Sequence, residues 1–313
     1  MARCINCVLA PFGLRLDRVE KSDAITFDGV WEKCLKHRQV LDELPEMRTK
    51  IPEHKPVKRI WQLWWQGIEA APVIVRRCME SVAESCPDYE INVLSGDDYM
   101  QYVDVPADIL RKIERGGEVA HISDYIRIAL LAKYGGVWID ATIFMTDNIP
   151  DDIVDSMFFA PVLPYWAILG VVPSIEMELA LSRMAYPCNN GLAFTNWMIA
   201  ARRDSSIIAA IKLLLEKYWE IEDSAVDYLF FQYLSTMSVV ANEYCRAEYI
   251  AMPKYDTTRS NILQQCLLRP YDDQLMDEIR SLTPIHKLTY KLPHGYQSGD
   301  GSFLDKILSG GVG

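Results

Sequence analysis

The chain lacks any apolar run long enough to cross a bilayer or to act as a secretory leader, and Pro11 and Gly13 interrupt the little that is apolar near its start. That predicts a cytoplasmic protein and leaves open a peripheral association with the inner face of a membrane. It also lacks an excess of positive charge. With 32 Lys and Arg against 43 Asp and Glu, the formal net charge is -11, which speaks against nucleic acid or anionic lipid as a general partner. The nearest thing to a basic cluster is Lys50, Lys55, Lys58 and Arg59. Metal-type cysteine spacing is missing too. Of the 8 cysteines, at 4, 7, 34, 78, 86, 188, 245 and 266, only Cys4 and Cys7 have C-x-x-C spacing, and no second pair completes a zinc site. They read as reduced thiols. There is no internal repeat and no low-complexity tract.

What is present is the balance of a folded protein: 313 residues, half of them hydrophobic, enough for one large domain or two closely fused lobes. Aromatic residues make up 11%, including 8 Trp and 16 Tyr, which suits a large core or a groove that stacks sugars and bases. Residues 1–56 read as a mostly helical extension that ends in a connector marked by Pro45, Pro52 and Pro56. Alternation then begins. Residues 59–66 form an apolar strand closed by Gly67, Pro72 opens a helix to about Cys86, and Tyr89–Leu94 is a second strand. This is the rhythm of an open α/β sheet. Further on, 158–162 and 166–172 read as strands, Asp204 or Ser205 caps a long helix to about Glu222, and another helix covers 224–242. Residues 293–313 read as a Gly-rich tail.

Residues 119–144 carry the most chemistry. Apolar positions 122, 126, 129, 130 and 131 have helical spacing, Gly135 and Gly136 stop that helix, and Val137-Trp138-Ile139 form a short strand ending at Asp140. From Gly135 back to Asp124 is about 16 Å of helix. From Gly136 forward to Asp140 is about 13 Å of strand. The two carboxylates therefore reach similar height at the carboxyl end of the strand, where open α/β sheets bind ligands. Arg127 lies one turn from Asp124 on the same helix face. Carboxylates accept hydrogen bonds from sugar hydroxyls or bind a divalent cation, and a guanidinium donates to sugar and phosphate oxygens, so the set suits a nucleotide diphosphate-sugar. A surface ion pair at Asp124 and Arg127, with Asp140 as a cap or turn residue, is the structural alternative.

The string His121-Ile122-Ser123-Asp124-x-x-Arg127, continued by Leu130-Leu131-x-x-Tyr134-Gly135-Gly136-Val137-Trp138-Ile139-Asp140-Ala141-Thr142, resembles the capsular polysaccharide synthesis glycosyltransferases of bacteria. The likeness extends to Ile60–Gly67, Asn196-Trp197-x-Ile199-Ala200, Asp227-Tyr228-x-x-Phe231 and His286-Lys287-Leu288-Thr289-Tyr290, over roughly residues 57–292. It implies a GT-A-like nucleotide-diphospho-sugar transferase fold, an α/β architecture with a mixed sheet flanked by helices and additional helices at the N-terminus and in the C-terminal half. More distantly, the layout is similar to mannosyltransferase-like enzymes and glucosylating toxins that carry an Asp-x-Asp motif.

By that resemblance Asp124 and Arg127 contact the donor sugar, Asp140 the ribose or a metal, and Asp227 stands beside the reacting carbon or else caps a helix. His286, Lys287 and Lys291 meet the diphosphate, with a surface place the alternative for His286; Asn196 and Trp197 line the pocket, with the core the equal alternative for Trp197; and Trp61, Gln62 and the end of their strand approach uracil or ribose, most tryptophans of that strand belonging to the core. Mn2+ or Mg2+ is implied at Asp140, Thr142 and His286, although Thr142 puts a neutral hydroxyl where the motif has its last acid. The implied activity is retaining transfer of a hexose from a nucleotide-diphosphate sugar, UDP-sugar favoured, to a saccharide or lipid-linked saccharide. A glycoside hydrolase with paired carboxylates and a catalytically silent sugar- or nucleotide-binding protein are the competing classes.

Overall fold

The structure, a computed structural model, describes residue 37 and residues 57–116, 120–162, 194–226, 228, 230–255, 257–292 and 301–312. The strand expected at 166–172 and almost all of the N-terminal extension lie outside the described residues, as does Asp227.

In chain order the elements are β1 (Arg59–Leu63), α1 (Val73–Ser85), β2 (Glu90–Leu94), α2 (Ala107–Gly116), α3 (Ala120–Tyr134), β3 (Gly136–Ile139), β4 (Ile143–Met145), α4 (Asp151–Asp155), β5 (Phe158–Phe159), β6 (Met198–Ala201), α5 (Ser206–Ile221), α6 (Phe230–Ala241), α7 (Glu243–Ala251), α8 (Thr257–Cys266), α9 (Asp273–Leu282), β7 (Ile285–Lys287) and α10 (Phe303–Leu308). The main sheet has the order β2-β1-β3-β6-β5. β1 pairs parallel with β2 and β3, while β6 runs antiparallel to both β3 and β5, so β6 is the one reversed strand of this sheet. β4 and β7 form a separate antiparallel pair. The mixed sheet, its flanking helices and the run of helices after β6 agree with the α/β expectation.

Period-two alternation sorts the sheet residues onto two faces. Trp61, Trp138, Ile199 and Ala201 pack with α3, α5 and α6 in one core, while Ile60, Val137, Ile139, Met198 and Ala200 pack on the other side with α1. α3 is covered almost all round, from His121 to Leu131, which explains why a helix so rich in Ile, Leu and Ala lies between the sheet and α5. Ser205 caps α5, its hydroxyl accepting from the Ile208 amide at 3.3 Å. A third cluster joins α1, α8, α9 and α10 through Cys78, Leu263, Ile279 and Phe303. The expected tail therefore holds a packed helix: Phe303, Leu304 and Ile307 are buried at helical spacing behind a capping box of Ser302 and Asp305.

Gly135 and Gly136 end α3 as expected, both with positive φ (69° and 99°). Gly136 has a second reason to be glycine. A Cβ there would stand 2.5 Å from the Arg59 carbonyl oxygen on the neighbouring strand. Gly136→Ala is expected to destabilise the protein by more than about 2 kcal/mol, since it combines a disfavoured φ with a clash against backbone. Urea unfolding of the variant measures this directly.

Candidate active site

The carboxyl ends of β1 and β3, the first turn of α3, the bend before β6, the start of α6 and the end of β7 enclose a cavity of about 500 Å³. Arg127 is its centre. The residue is 4% exposed, and its guanidinium donates from Nη1 to Asp124 Oδ1 at 2.5 Å and from Nη2 to Asp140 Oδ1 at 3.2 Å and lies 4.7 Å from the Trp138 ring centre. One planar fork thus holds a carboxylate of the helix and a carboxylate of the strand. The expectation that the two would reach the same height is met because both are measured from the same Gly-Gly turn.

The polar chain extends on both sides of this bridge. Asn196 Nδ2 donates to Asp124 Oδ1 at 2.7 Å, Gln232 Nε2 reaches Asn196 Oδ1 at 3.5 Å, and His121 Nδ1 lies 3.3 Å from Asp124 Oδ2. On the other side Trp138 Nε1 donates to Asp140 Oδ1 at 2.8 Å, and the Lys287 ammonium donates to Asp140 Oδ2 at 3.1 Å and to Thr142 Oγ1 at 2.7 Å. Burial pushes the Asp140 carboxyl up, but the Lys287 and Arg127 charges, with hydrogen bonds from Trp138 and Lys287, outweigh it and hold the group below the usual carboxylate range. The Asp140 amide donates to the Trp197 carbonyl at 2.8 Å, which fixes the backbone that carries this carboxylate.

The remaining wall is aromatic. Trp64 meets Tyr290 edge-on at 5.3 Å, Trp65 rests on Tyr99 at 5.7 Å, and Gln66, Tyr228 and Ser123 also line the cavity. The turn after β1 is the feature that the sequence suggested only as a contact near the end of that strand. No local pattern marks Gln232, since its approach to Asn196 joins positions 36 apart.

Not every expected residue comes to the cavity. Asp124, Arg127, Asp140, Thr142, Asn196 and Lys287 line it. Trp61 does not: it is buried in the core and its indole donates to the Gly135 carbonyl at 3.0 Å. Gln62 is fully buried on the opposite face of β1, and Trp197 belongs to the core under α1. Lys291 is exposed and outside the lining. Asp227 lies outside the described residues, next to Tyr228, which is 68% exposed at the rim.

His286 is also displaced from its expected place, and the reason is strand parity. Lys287 points into the cavity, so its neighbour on β7 faces the other way, where Nε2 lies 3.1 Å from Thr146 Oγ1. Burial pushes the His286 pKa down to about 3 from an ordinary 6.5, with the Arg280 charge adding to it. The ring is therefore neutral in the fold but takes up a proton in the unfolded chain below pH 6.5. Stability is complete above that pH and falls as the pH drops from it towards the folded value, by roughly 3 kcal/mol at pH 4. In chemical denaturation at several pH values, His286→Gln should remove this acid sensitivity.

A divalent ion finds a poor site here. Mg2+ wants several oxygen ligands at about 2.1 Å. Asp140 offers the one carboxylate next to Thr142, and both its oxygens already accept hydrogen bonds. Among the described residues no three His, Cys, Asp or Glu side chains stand together as a metal site.

Residues 18–307 match the family described as Capsular polysaccharide synthesis protein, and the chain belongs to that family. A curated relative, the O-glycosyltransferase braB of Annulohypoxylon truncatum, is 29% identical over 173 residues, which are 52% of this chain and 38% of the relative. The chain thus spans well under half the length of that protein. Among solved structures, the PaToxG Glycosyltransferase aligns over 90% of this chain and 94% of its own at 12% identity, with a TM-score of 0.38. Among the described residues no helix is long and apolar enough to cross a membrane.

Proposed function

We propose that the protein is a glycosyltransferase that moves a hexose from a nucleoside-diphosphate sugar to a saccharide acceptor in polysaccharide synthesis. The observation that carries this reading is the Arg127 fork held between Asp124 and Asp140 at the floor of a cavity of about 500 Å³, inside the range of small-molecule sites. Family membership and the relative's name, an O-glycosyltransferase, point to the same chemistry.

In this reading Asp124, Arg127 and Asn196 hydrogen-bond the hexose hydroxyls, Asp140 holds the ribose, and the base, uracil by preference, lies against Trp64, Trp65 and Gln66. Lys287 faces the diphosphate. The bond between the anomeric carbon and the β-phosphate oxygen breaks, and its electron pair leaves with the diphosphate. The acceptor hydroxyl oxygen bonds to the same carbon and its proton passes to solvent. Negative charge grows on the leaving phosphate, so cations already fixed by the protein lower the barrier. Retention of configuration and a saccharide or lipid-linked saccharide acceptor follow from the resemblance alone.

A hydrolase is disfavoured by the same geometry. It needs one carboxyl that keeps its proton near neutral pH, whereas Asp124 and Asp140 both receive hydrogen bonds from one guanidinium and Asp140 is held ionised. Calorimetry with UDP-, GDP-, ADP- and CDP-hexoses tests the proposal. Micromolar binding of at least one donor, weakened at least tenfold in Asp124→Asn, is expected. No binding by any of them would count decisively against a transferase.

A further inference from the structure

Lys287 occupies the position from which a cation would bridge the first and last members of the Asp140–Ala141–Thr142 turn. Its ammonium contacts one oxygen of each, Asp140 Oδ2 at 3.1 Å and Thr142 Oγ1 at 2.7 Å. The placement is set by backbone pairing rather than by a wandering side chain. β7 pairs with β4 so that Lys287 stands opposite Ile143, and the next amide, Leu288, donates to the Thr142 carbonyl at 2.9 Å. The Lys287 side chain is three-quarters buried. A divalent ion bound to these same two oxygens would sit within van der Waals contact of that nitrogen, and two cations at such a distance repel strongly at the edge of a protein interior.

The charges also balance without a metal. A turn with two carboxylates around a divalent ion sums to zero. One carboxylate, one neutral hydroxyl and one ammonium also sum to zero. Thr142 and Lys287 therefore complement one another: a second acid at 142, or a neutral residue at 287, would leave an unbalanced charge in a partly buried site.

We propose that the Lys287 ammonium takes the place of the divalent cation, so that the protein binds the diphosphate of its donor without metal. A lysine keeps three donors on a single point charge, two of which are engaged by Asp140 and Thr142, leaving one to meet a phosphate oxygen from the open side of the cavity. Arg127, on the other side of Asp140, supplies a second fixed positive charge to the same region. This inference rests on the donor-site reading above and adds that the site needs no metal cofactor.

Calorimetric titration of the full chain with UDP, GDP, ADP and CDP, in EDTA and again in excess Mn2+, tests it. One diphosphate should bind with the same Kd, within about twofold, in both conditions. Lys287→Met, which keeps most of the buried stem, should weaken that binding by roughly tenfold or more in EDTA. Combining Lys287→Met with Thr142→Asp should restore binding only when Mn2+ is present, because the ammonium is gone and a second acid has returned. Wild-type binding that appears only with Mn2+ overturns the inference and leaves the donor site standing. Absence of binding by all four diphosphates in both conditions overturns the donor site and this inference with it. Unchanged affinity in Lys287→Met, with circular dichroism like wild type, also overturns it.

Discussion

Arg127→Lys is expected to lower kcat/KM for sugar transfer by about 10²–10³-fold and to cost about 3 kcal/mol of stability. The substitution keeps the charge and loses the fork. Nη1 and Nη2 serve Asp124 and Asp140, two carboxylates that belong to different elements and are 7% and 25% exposed in their side chains. A single ammonium on a flexible stem reaches one of them, and the other is left poorly compensated at the cavity floor. The stacking of the guanidinium against Trp138 is lost as well. Steady-state kinetics with the best donor and urea unfolding of the same variant read the two effects separately. A variant with wild-type kcat/KM would mean that Arg127 merely ties the fold together.

Asp140→Asn has the second largest expected effect, a loss of about 10²–10³-fold in transfer with the secondary structure intact. The amide is nearly the same size, but its nitrogen must face Lys287, Arg127 or the Trp138 indole, all of which are donors. The variant also carries a pH signature. Because the Asp140 pKa is held below its ordinary value, the carboxylate contributes stability that is present above about pH 4 and lost as the pH falls through the lower, folded value. Wild type and Asp140→Asn should therefore differ most in Tm near neutral pH and converge in acid. A constant difference across that range would remove Asp140 from the charge network.

The part of this site that could be read from the sequence is the part built by neighbours. Asp124, Arg127 and Asp140 belong to one helix, one Gly-Gly turn and one strand, so rise per residue alone places them together. The resemblance supplied longer blocks but could not tell which residue of a strand pair faces the cavity. His286 and Lys287 are adjacent on β7, as Asn196 and Trp197 are adjacent before β6, and in each case one enters the site while the other enters the core. Trp61 and Gln62 are a harder case. Both faces of β1 are covered, so neither could point to a ligand, and the contacts lie in the turn beyond the strand, at Trp64, Trp65 and Gln66. Gln232 required knowledge of how α6 docks, which is a tertiary fact with no local signature. For the C-terminal segment, the Gly-rich composition hid a short apolar repeat at Phe303, Leu304 and Ile307 that packs on α1.

The most direct measurement is release of nucleoside diphosphate from a panel of UDP- and GDP-hexoses incubated with the protein, without added acceptor, so that water slowly replaces the sugar hydroxyl. Wild-type protein should release diphosphate from at least one donor, and Arg127→Lys and Asp140→Asn should each reduce that rate by at least about 10²-fold. Release at equal rates from all three proteins, or from none of the donors with any of them, would contradict a donor site centred on Asp124, Arg127 and Asp140.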